Sequence, residues 1–305
     1  MKSRILNNWY LKAAFQKTIS FVPCRHRINY FFQVNFGKLK AFDTAKIINE
    51  IKEAYLLPIA QGYGSKTNLK ITELGTGWMP VLPTLLSLMG NTCSSFDVAR
   101  LFDTGKIKDI LKEIEKYSDY LEDIPDFSFT EAIRKYKECD NGNILKHLGW
   151  DYFAPIDTCN LPLEDNSQDL VVSRLVLQHI PQNILPSAIK ETWRILKPGG
   201  RAIHKINLHD EYAESDPGAC LINFLKFPEW FWNSFVNNKI KFVNQARYPY
   251  YLRVFEDAGF RILKTKKVID KQSLRDIDKI KLAKEFRQYS KEELATVGLY
   301  AVLQK

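Results

Sequence analysis

Glu73-Leu74-Gly75-Thr76-Gly77 is the stretch of this 305-residue chain whose residue types most directly suggest ligand chemistry. It follows the strand-like run Leu69-Lys70-Ile71-Thr72-Glu73-Leu74 and precedes a helix-like run from Pro80 to Met89. Glycine at 75 and 77 lets the backbone turn tightly and approach a ligand closely. Asp97 stands about twenty residues further on, at the end of the strand candidate Cys93–Val98. A carboxylate there can accept both hydroxyls of a ribose, and the bland alternative is a helix cap or surface acid. Such a turn serves more than one nucleoside cofactor. The nicotinamide fingerprint G-x-G-x-x-G fails here, because Pro80 stands at the third glycine.

Three histidines could act as bases near neutral pH. His179 lies in the Leu177-Gln178-His179-Ile180 turn after the fourth strand, His204 lies on the fifth, and His209 lies just beyond it beside Asp210. For each, a hydrogen-bonded core or surface histidine is the competing reading. Cys159 has no basic partner pattern around it and is a poor nucleophile.

These residues need a frame that brings strand ends together. Strand candidates at 69–74, 93–98, 152–157, 169–173, 201–206, 260–268 and 296–303 alternate with helical patterns. That predicts an α/β fold: a doubly wound, mainly parallel, seven-stranded Rossmann-like sheet. Ligands of such sheets sit at the carboxyl ends of strands, where the Gly turn, Asp97 and Asp157 all fall. Residues 1–60 read as a basic, helical N-terminal extension with one helix from about Asp43 to Leu57 that stops at Pro58. Residues 61–305 read as the main domain, with insertions at about 103–148 and 208–247. The second insertion holds an aromatic block, Phe224 to Phe235, which forms either a substrate lid or a packed cap. Lys197-Pro198-Gly199-Gly200 reads as a helix stop and turn.

Several of these pieces stand in a telling order: Glu73 to Gly77, Asp97, Ala154-Pro155-Ile156-Asp157-Thr158, Asp169 to Ser173, Leu177-Gln178-His179-Ile180 and Leu196-Lys197-Pro198-Gly199-Gly200. Together they resemble the class I S-adenosylmethionine (SAM) methyltransferases, especially the type 11 small-molecule subgroup. The resemblance covers about 68–206 and runs more loosely to about 268. It implies SAM as cofactor and methyl transfer as activity. It implies that Glu73, Gly75, Thr76 and Gly77 line the methionine end, and that Asp97 holds the ribose. Asp157 would face the adenine amino group beside the Thr158 backbone, and Ser173 and Arg174 would stand near the methyl. His204, or His209 with Asp210, is the implied base on the acceptor side, and His179 often has a supporting role in similar proteins. Met79 departs from the family, which often has a third glycine there.

Methyl transfer to a hydroxyl of a small molecule or glycan is the leading expectation. The Gly-Thr-Gly-Trp turn and Arg247-Tyr248-Pro249-Tyr250 resemble enzymes of bacterial polysaccharide and natural-product pathways. The alternatives are a nucleic-acid methyltransferase and a SAM-fold binding module without catalysis. No Asn-Pro-Pro-Tyr type motif is present, so nucleic acid is disfavoured. The net charge is +9, and residues 1–53 hold +7 of it, from ten Lys or Arg and three acids. A basic, amphipathic N-terminus suggests peripheral contact of residues 1–57 with an anionic membrane. Five well-separated cysteines without a C-x-x-C pair exclude the usual zinc and redox motifs and suit reduced thiols in the cytoplasm. No metal is expected, and neither a signal-peptide pattern nor a long apolar span is visible.

Overall fold

The computed structural model describes residues 8–35, 43–63, 68–122, 124, 127–137, 139, 143–216 and 218–305. Parts of the expected N-terminal extension, residues 1–7 and 36–42, lie outside the described residues.

Seven strands form one sheet: β1 (Lys70–Leu74), β2 (Thr92–Phe96), β3 (Trp150–Phe153), β4 (Gln168–Arg174), β5 (Leu196–Asn207), β6 (Arg261–Ile269) and β7 (Thr296–Gln304). Their order is β3-β2-β1-β4-β5-β7-β6. β1 to β5 pair in parallel, and β7 runs antiparallel to both β5 and β6. The chain steps outward from β1 to β3 and then returns to lay β4 on the other side of β1. The order therefore reverses between β1 and β4, and a crevice opens at their carboxyl ends.

Helices cover both faces because the strands are apolar on both. Along β4, Leu170 and Val172 face one way and Val171 the other, and all three are fully buried. The first face packs against α3 (Thr44–Ile51), α4 (Leu57–Tyr63), α5 (Val81–Leu88), α6 (Ile107–Glu115), α7 (Phe129–Lys137) and α8 (Ile144–His147). The second packs against α9 (Leu185–Ile195) and α11 (Tyr248–Asp257). All eight residues of α5 are buried. Outside these layers lie α1 (Trp9–Ile19), α2 (Arg25–Asn35), α10 (Glu229–Phe231), α12 (Lys271–Asp276) and α13 (Lys291–Ala295).

Three local expectations change. The helix from Thr44 does not stop at Pro58; it passes through a π-helical turn at Lys52–Leu56 into α4. Proline lacks the N–H that would bond the carbonyl four residues back. Here the Ala54 carbonyl instead accepts the Tyr300 hydroxyl, so the helix continues without an orphaned acceptor. The third strand ends at Phe153 rather than Asp157, because Pro155 cannot donate to a ladder. Lys197 to Gly200 bulge out inside β5, between the pairings Gln168↔Leu196 and Leu170↔Arg201.

The 208–247 segment is largely a packed cap. Tyr212, Phe224 and Trp232 are buried in a third core with Trp9 and Ala13 of α1, while Trp230 and Phe235 stand exposed. Trp9 stacks on Phe227 with ring centres 5.5 Å apart, and its indole Nε1 donates to Asp210 Oδ2 at 2.6 Å. Lys17 Nζ donates to the carbonyls of Ser234 (2.8 Å) and Asn237 (2.7 Å). Arg247 is fully buried and donates to the carbonyls of Leu208 (2.7 Å), Leu294 (3.1 Å), Glu293 (3.3 Å) and Thr296, which fastens the cap to the approach of β7.

Trp9→Phe keeps most of the apolar contact but removes the donor to a buried carboxylate. We expect a loss of about 1–3 kcal/mol of stability, read as a lower urea midpoint. An unchanged midpoint would mean that α1 is not held by this bond.

Candidate functional site

The turn after β1 is built around a buried acid. Glu73 Oε2 accepts the hydroxyls of Thr76 (2.9 Å) and Ser95 (2.7 Å), and Ser95 Oγ accepts Trp150 Nε1 at 2.8 Å. β1, β2 and β3 are thereby tied side to side. Burial pushes the Glu73 carboxyl up to about 7, against the two hydroxyls, which act to lower it.

Both glycines of the turn are required by backbone geometry. Gly75 has φ +74°, and a Cβ on it would come within 2.4 Å of Val176, in the loop after β4. Gly77 has φ +66°, and a Cβ there would meet nothing within 4 Å, so its surroundings are open. The Gly77 N–H donates to Asp97 Oδ2 at 2.8 Å, and Asp97 Oδ1 accepts the Ala99 N–H at 3.3 Å. Burial raises the Asp97 carboxyl above its ordinary range, while these backbone donors pull it down. Next to it, Val98 is 76% exposed, an apolar face that sequence reasoning passed over. The Ile156 N–H donates to the Asp97 carbonyl at 2.8 Å, which draws the 155–159 loop to the same strand end. Asp157 is exposed on that loop and accepts the Cys159 N–H at 2.9 Å, and Thr158 beside it is half-buried. Burial and then Asp157 push the Cys159 thiol up to about 11, so it stays protonated.

The structure brings together some of the predicted residues beyond β4 and β5 and separates others. Ser173 and His204 face α11 and not the crevice. Ser173 Oγ lies 2.8 Å from His204 Nδ1, the imidazole stacks on Phe255 at 5.7 Å, and His204 Nε2 is buried without a hydrogen-bond partner. Burial lowers the His204 pKa to about 3. It is therefore neutral and shut away from any acceptor, and the Ser173 hydroxyl is equally withdrawn. Asp210 is likewise not paired with His209. It is fully buried, takes the Trp9 indole hydrogen, and caps the Tyr212 N–H at 2.9 Å.

His179 and His209, by contrast, meet in one surface cluster. His179 Nδ1 lies 2.5 Å from the Phe242 carbonyl, and Nε2 lies 3.5 Å from Glu211 Oε1. Glu211 also accepts Asn207 Nδ2 at 3.4 Å and pairs with Lys241 at 2.8 Å. His209 Nε2 abuts the Glu214 carboxylate. Glu211, Glu214, Asn207 and Lys241 were not singled out from sequence, because no local motif marks them. On the other sheet face, Arg174 Nε donates to Glu50 Oε1 of α3 at 2.8 Å, and Lys205 shares the same carboxylate. Burial opposes ionisation of Glu50, but Arg174 and Lys205 outweigh it and hold the carboxyl below its usual range. Among the described residues, no group of three or more His, Cys, Asp or Glu could hold a metal ion.

Residues 130–204, from α7 into β5, match the family model described as a methyltransferase domain. The sheet order reverses at the β1/β4 switch point, as in doubly wound α/β folds. Over residues 130–204 the chain carries the signature of a methyltransferase domain. Among solved structures, the chain is similar to a SAM-dependent methyltransferase from Methanosarcina mazei at 13% identity and TM-score 0.46, over 81% of this chain and 97% of that one. It is also similar to an S-adenosylmethionine dependent methyltransferase from Mesorhizobium loti at 13% identity and TM-score 0.41, over 82% and 98% of the two chains. No curated protein matches the chain. SAM is the cofactor that such a domain implies. The residues present fit it. The space beside Gly77 is open, Asp97 is buried at the end of β2 and held by the Gly77 and Ala99 N–H groups, and Val98 next to it presents a bare apolar face.

Glu73 makes stability depend on pH. Its folded pKa of about 7 stands above the ordinary 4.5, so its contribution is full below pH 4.5 and is lost as pH rises towards 7. The loss amounts to about 3 kcal/mol. Glu73→Gln should flatten this part of the stability–pH curve, measured by urea unfolding between pH 4.5 and 7.5. A slope identical to wild type would show that Glu73 is not the group that titrates.

Proposed function

We propose that this methyltransferase moves the methyl group of SAM to a hydroxyl of a small molecule or glycan. The observation that carries the reading is the His179–Glu211 and His209–Glu214 cluster beyond the carboxyl ends of β4 and β5. Bound SAM supplies a methyl on a sulfonium that is already a good leaving group. The chain's task is to align the acceptor oxygen and keep water out. On this reading Glu73, Gly75, Thr76 and Gly77 cradle the methionine end, Asp97 takes the ribose hydroxyls, and Val98 supports one face of the adenine. Asp157 and the Thr158 backbone stand at the adenine edge. Glu214 beside His209 Nε2 holds a proton on that nitrogen and raises the basicity of Nδ1, as a carboxylate does when it orients a catalytic imidazole. His209 is the proposed base, and His179, held by Phe242 and Glu211, positions the acceptor. Polysaccharide biosynthesis in the cytoplasm is the proposed setting.

His209→Ala and Glu214→Gln should each lower kcat by about 10²–10⁴-fold, with SAM affinity by calorimetry unchanged. Radiolabelled methyl transfer to sugars, lipid-linked glycans and nucleic acid reads the outcome. Label that appears only in nucleic acid, or variants as fast as wild type, would overturn this assignment.

A second reading concerns attachment. Tyr10, Phe21 and Phe31 on the N-terminal helical segment and Trp230 and Phe235 on the cap are 57–70% exposed. Aromatic rings beside a basic segment suit the interface of an anionic bilayer. Among the described residues no helix is long and apolar enough to cross a membrane, so the proposed contact is peripheral. The protein should co-sediment with vesicles containing phosphatidylglycerol, and Phe21→Ser with Trp230→Ser should weaken that several-fold. Equal recovery with and without vesicles would rule the contact out.

A further inference from the structure

Trp78 sits in the cofactor turn, and beside it lies a cleft of about 520 Å³ that the proposed chemistry does not use. Its walls are Arg27 and Tyr30 of α2, Trp78, and the segment from Arg100 to Lys106 after β2. The volume is ample for a small ligand.

The charges on these walls are unbalanced. Arg27, Arg100 and Lys106 face one carboxylate, Asp103. Asp103 Oδ1 is turned to its own backbone and accepts the Gly105 N–H at 3.1 Å. Lys106 Nζ donates to the Tyr30 hydroxyl at 3.1 Å and Arg100 Nη2 to the Ala154 carbonyl at 2.9 Å; both acceptors are neutral. Among the described residues, none of the three cations has a carboxylate within ion-pair distance. Three cations against one lining carboxylate leave the cleft net positive, with Asp103 and Asp109 acting on Lys106, and the cleft focuses that potential. Arginine forks and a lysine ammonium together are the donor set that matches phosphate oxygens. The Tyr30 and Trp78 rings, 5.4 Å apart and edge to face, add apolar wall for the body of the same ligand.

We propose that this cleft is an anion subsite that holds the phosphate or diphosphate ester of the methyl acceptor. The acceptor part of this statement rests on the methyl-transfer reading above; the anion part does not. The cleft adjoins the end of β2, and the His209–Glu214 pair adjoins the end of β5, three strands away. At strand spacing this is roughly 14 Å, a span that a diphosphate-linked short oligosaccharide can bridge and a single sugar cannot. A glycan activated by diphosphate arrives either on a nucleoside or on a polyprenyl lipid, and both carry the recognised group. The class of reaction that supplies the substrate is then glycosyl or phosphoglycosyl transfer.

The test is calorimetric titration of inorganic pyrophosphate into the full chain saturated with S-adenosylhomocysteine. Wild type should bind, and Arg100→Ala and Lys106→Ala should each weaken binding about tenfold, the loss of one charge-assisted contact. Both residues are peripheral, and circular dichroism checks that the variants fold. S-adenosylhomocysteine affinity, measured separately, should stay unchanged. Nucleoside diphosphate and short-chain polyprenyl phosphate, titrated the same way, name the source, and tighter binding of either supports the proposal. No pyrophosphate binding by wild type, or binding that the variants leave intact, overturns it. Parallel loss of S-adenosylhomocysteine affinity also overturns it, because the cleft would then belong to the cofactor. If pyrophosphate binds as stated but no acceptor is methylated, the methyl-transfer reading fails and the anion site stands.

Discussion

The buried carboxylate of Glu73 is the constraint from which the rest of the site follows. It sits at the end of β1, at the switch point, where the strand order reverses. Two hydroxyls, from Thr76 and Ser95, point at one of its oxygens, and Trp150 on β3 completes the chain of donors. A carboxyl taken out of water is costly unless it is hydrogen-bonded, and a buried network is stable only when its members are satisfied. The Thr76 hydroxyl can reach Glu73 only if the turn bends sharply at Gly75. That bend presses the turn against Val176 and aims the Gly77 N–H at Asp97. The shape of the cofactor turn, the position of Asp97 and the lateral order of β1, β2 and β3 are therefore one arrangement.

The N-terminal helices belong to this arrangement as well. Ile48, Ile51, Tyr55 and Leu56 are fully buried in the first core, and the Tyr55 hydroxyl donates to the Ser173 carbonyl at 2.8 Å. Glu50 neutralises part of the charge of Arg174 and Lys205 at the carboxyl ends of β4 and β5. An unpaired cation there would oppose a sulfonium in the crevice, so the helix contributes electrostatics as well as packing. The basic count of the N-terminus also overstates the charge that it shows to solvent. Lys12 is buried, and burial first and Lys241 next bring its pKa down to about 8, while Lys17 is spent on two carbonyls of the cap.

What was legible in the sequence was what short-range pattern controls. The Gly turn, Asp97, the seven strands and their class could be read because glycine placement and strand–helix alternation act within a few residues. What was not legible depended on parity. β4 and β5 are apolar on both faces, so nothing local says which way a given side chain points. Ser173 and His204 point to α11, whereas their neighbours Arg174 and Lys205 point to Glu50 of α3. A shift of one residue in the imagined register exchanges a core imidazole for a crevice base. The reach of the Thr44 helix was hidden for another reason. Its continuation past Pro58 depends on the Tyr300 hydroxyl, which comes from the far end of the chain.

The same logic explains the choice between the histidines. A base that serves an acceptor must lie outside the sheet, and the parity of β5 removes His204 from consideration, while Asp210 is committed to Trp9 and the cap. The residues that remain come from turns just past the strand ends, where the chain is free of ladder constraints and side chains can converge from several directions. His179 arrives from the turn after β4, Asn207 from the last position of β5, and His209, Glu211 and Glu214 from the start of the cap. Lys241 returns from the far side of the cap to pair with Glu211. The cap is anchored beneath by Trp9 on Asp210 and by Arg247 on four carbonyls. Its aromatic core thus fixes the polar rim in place: the residues that would meet an acceptor are positioned by packing against α1 that no motif in the loop itself records.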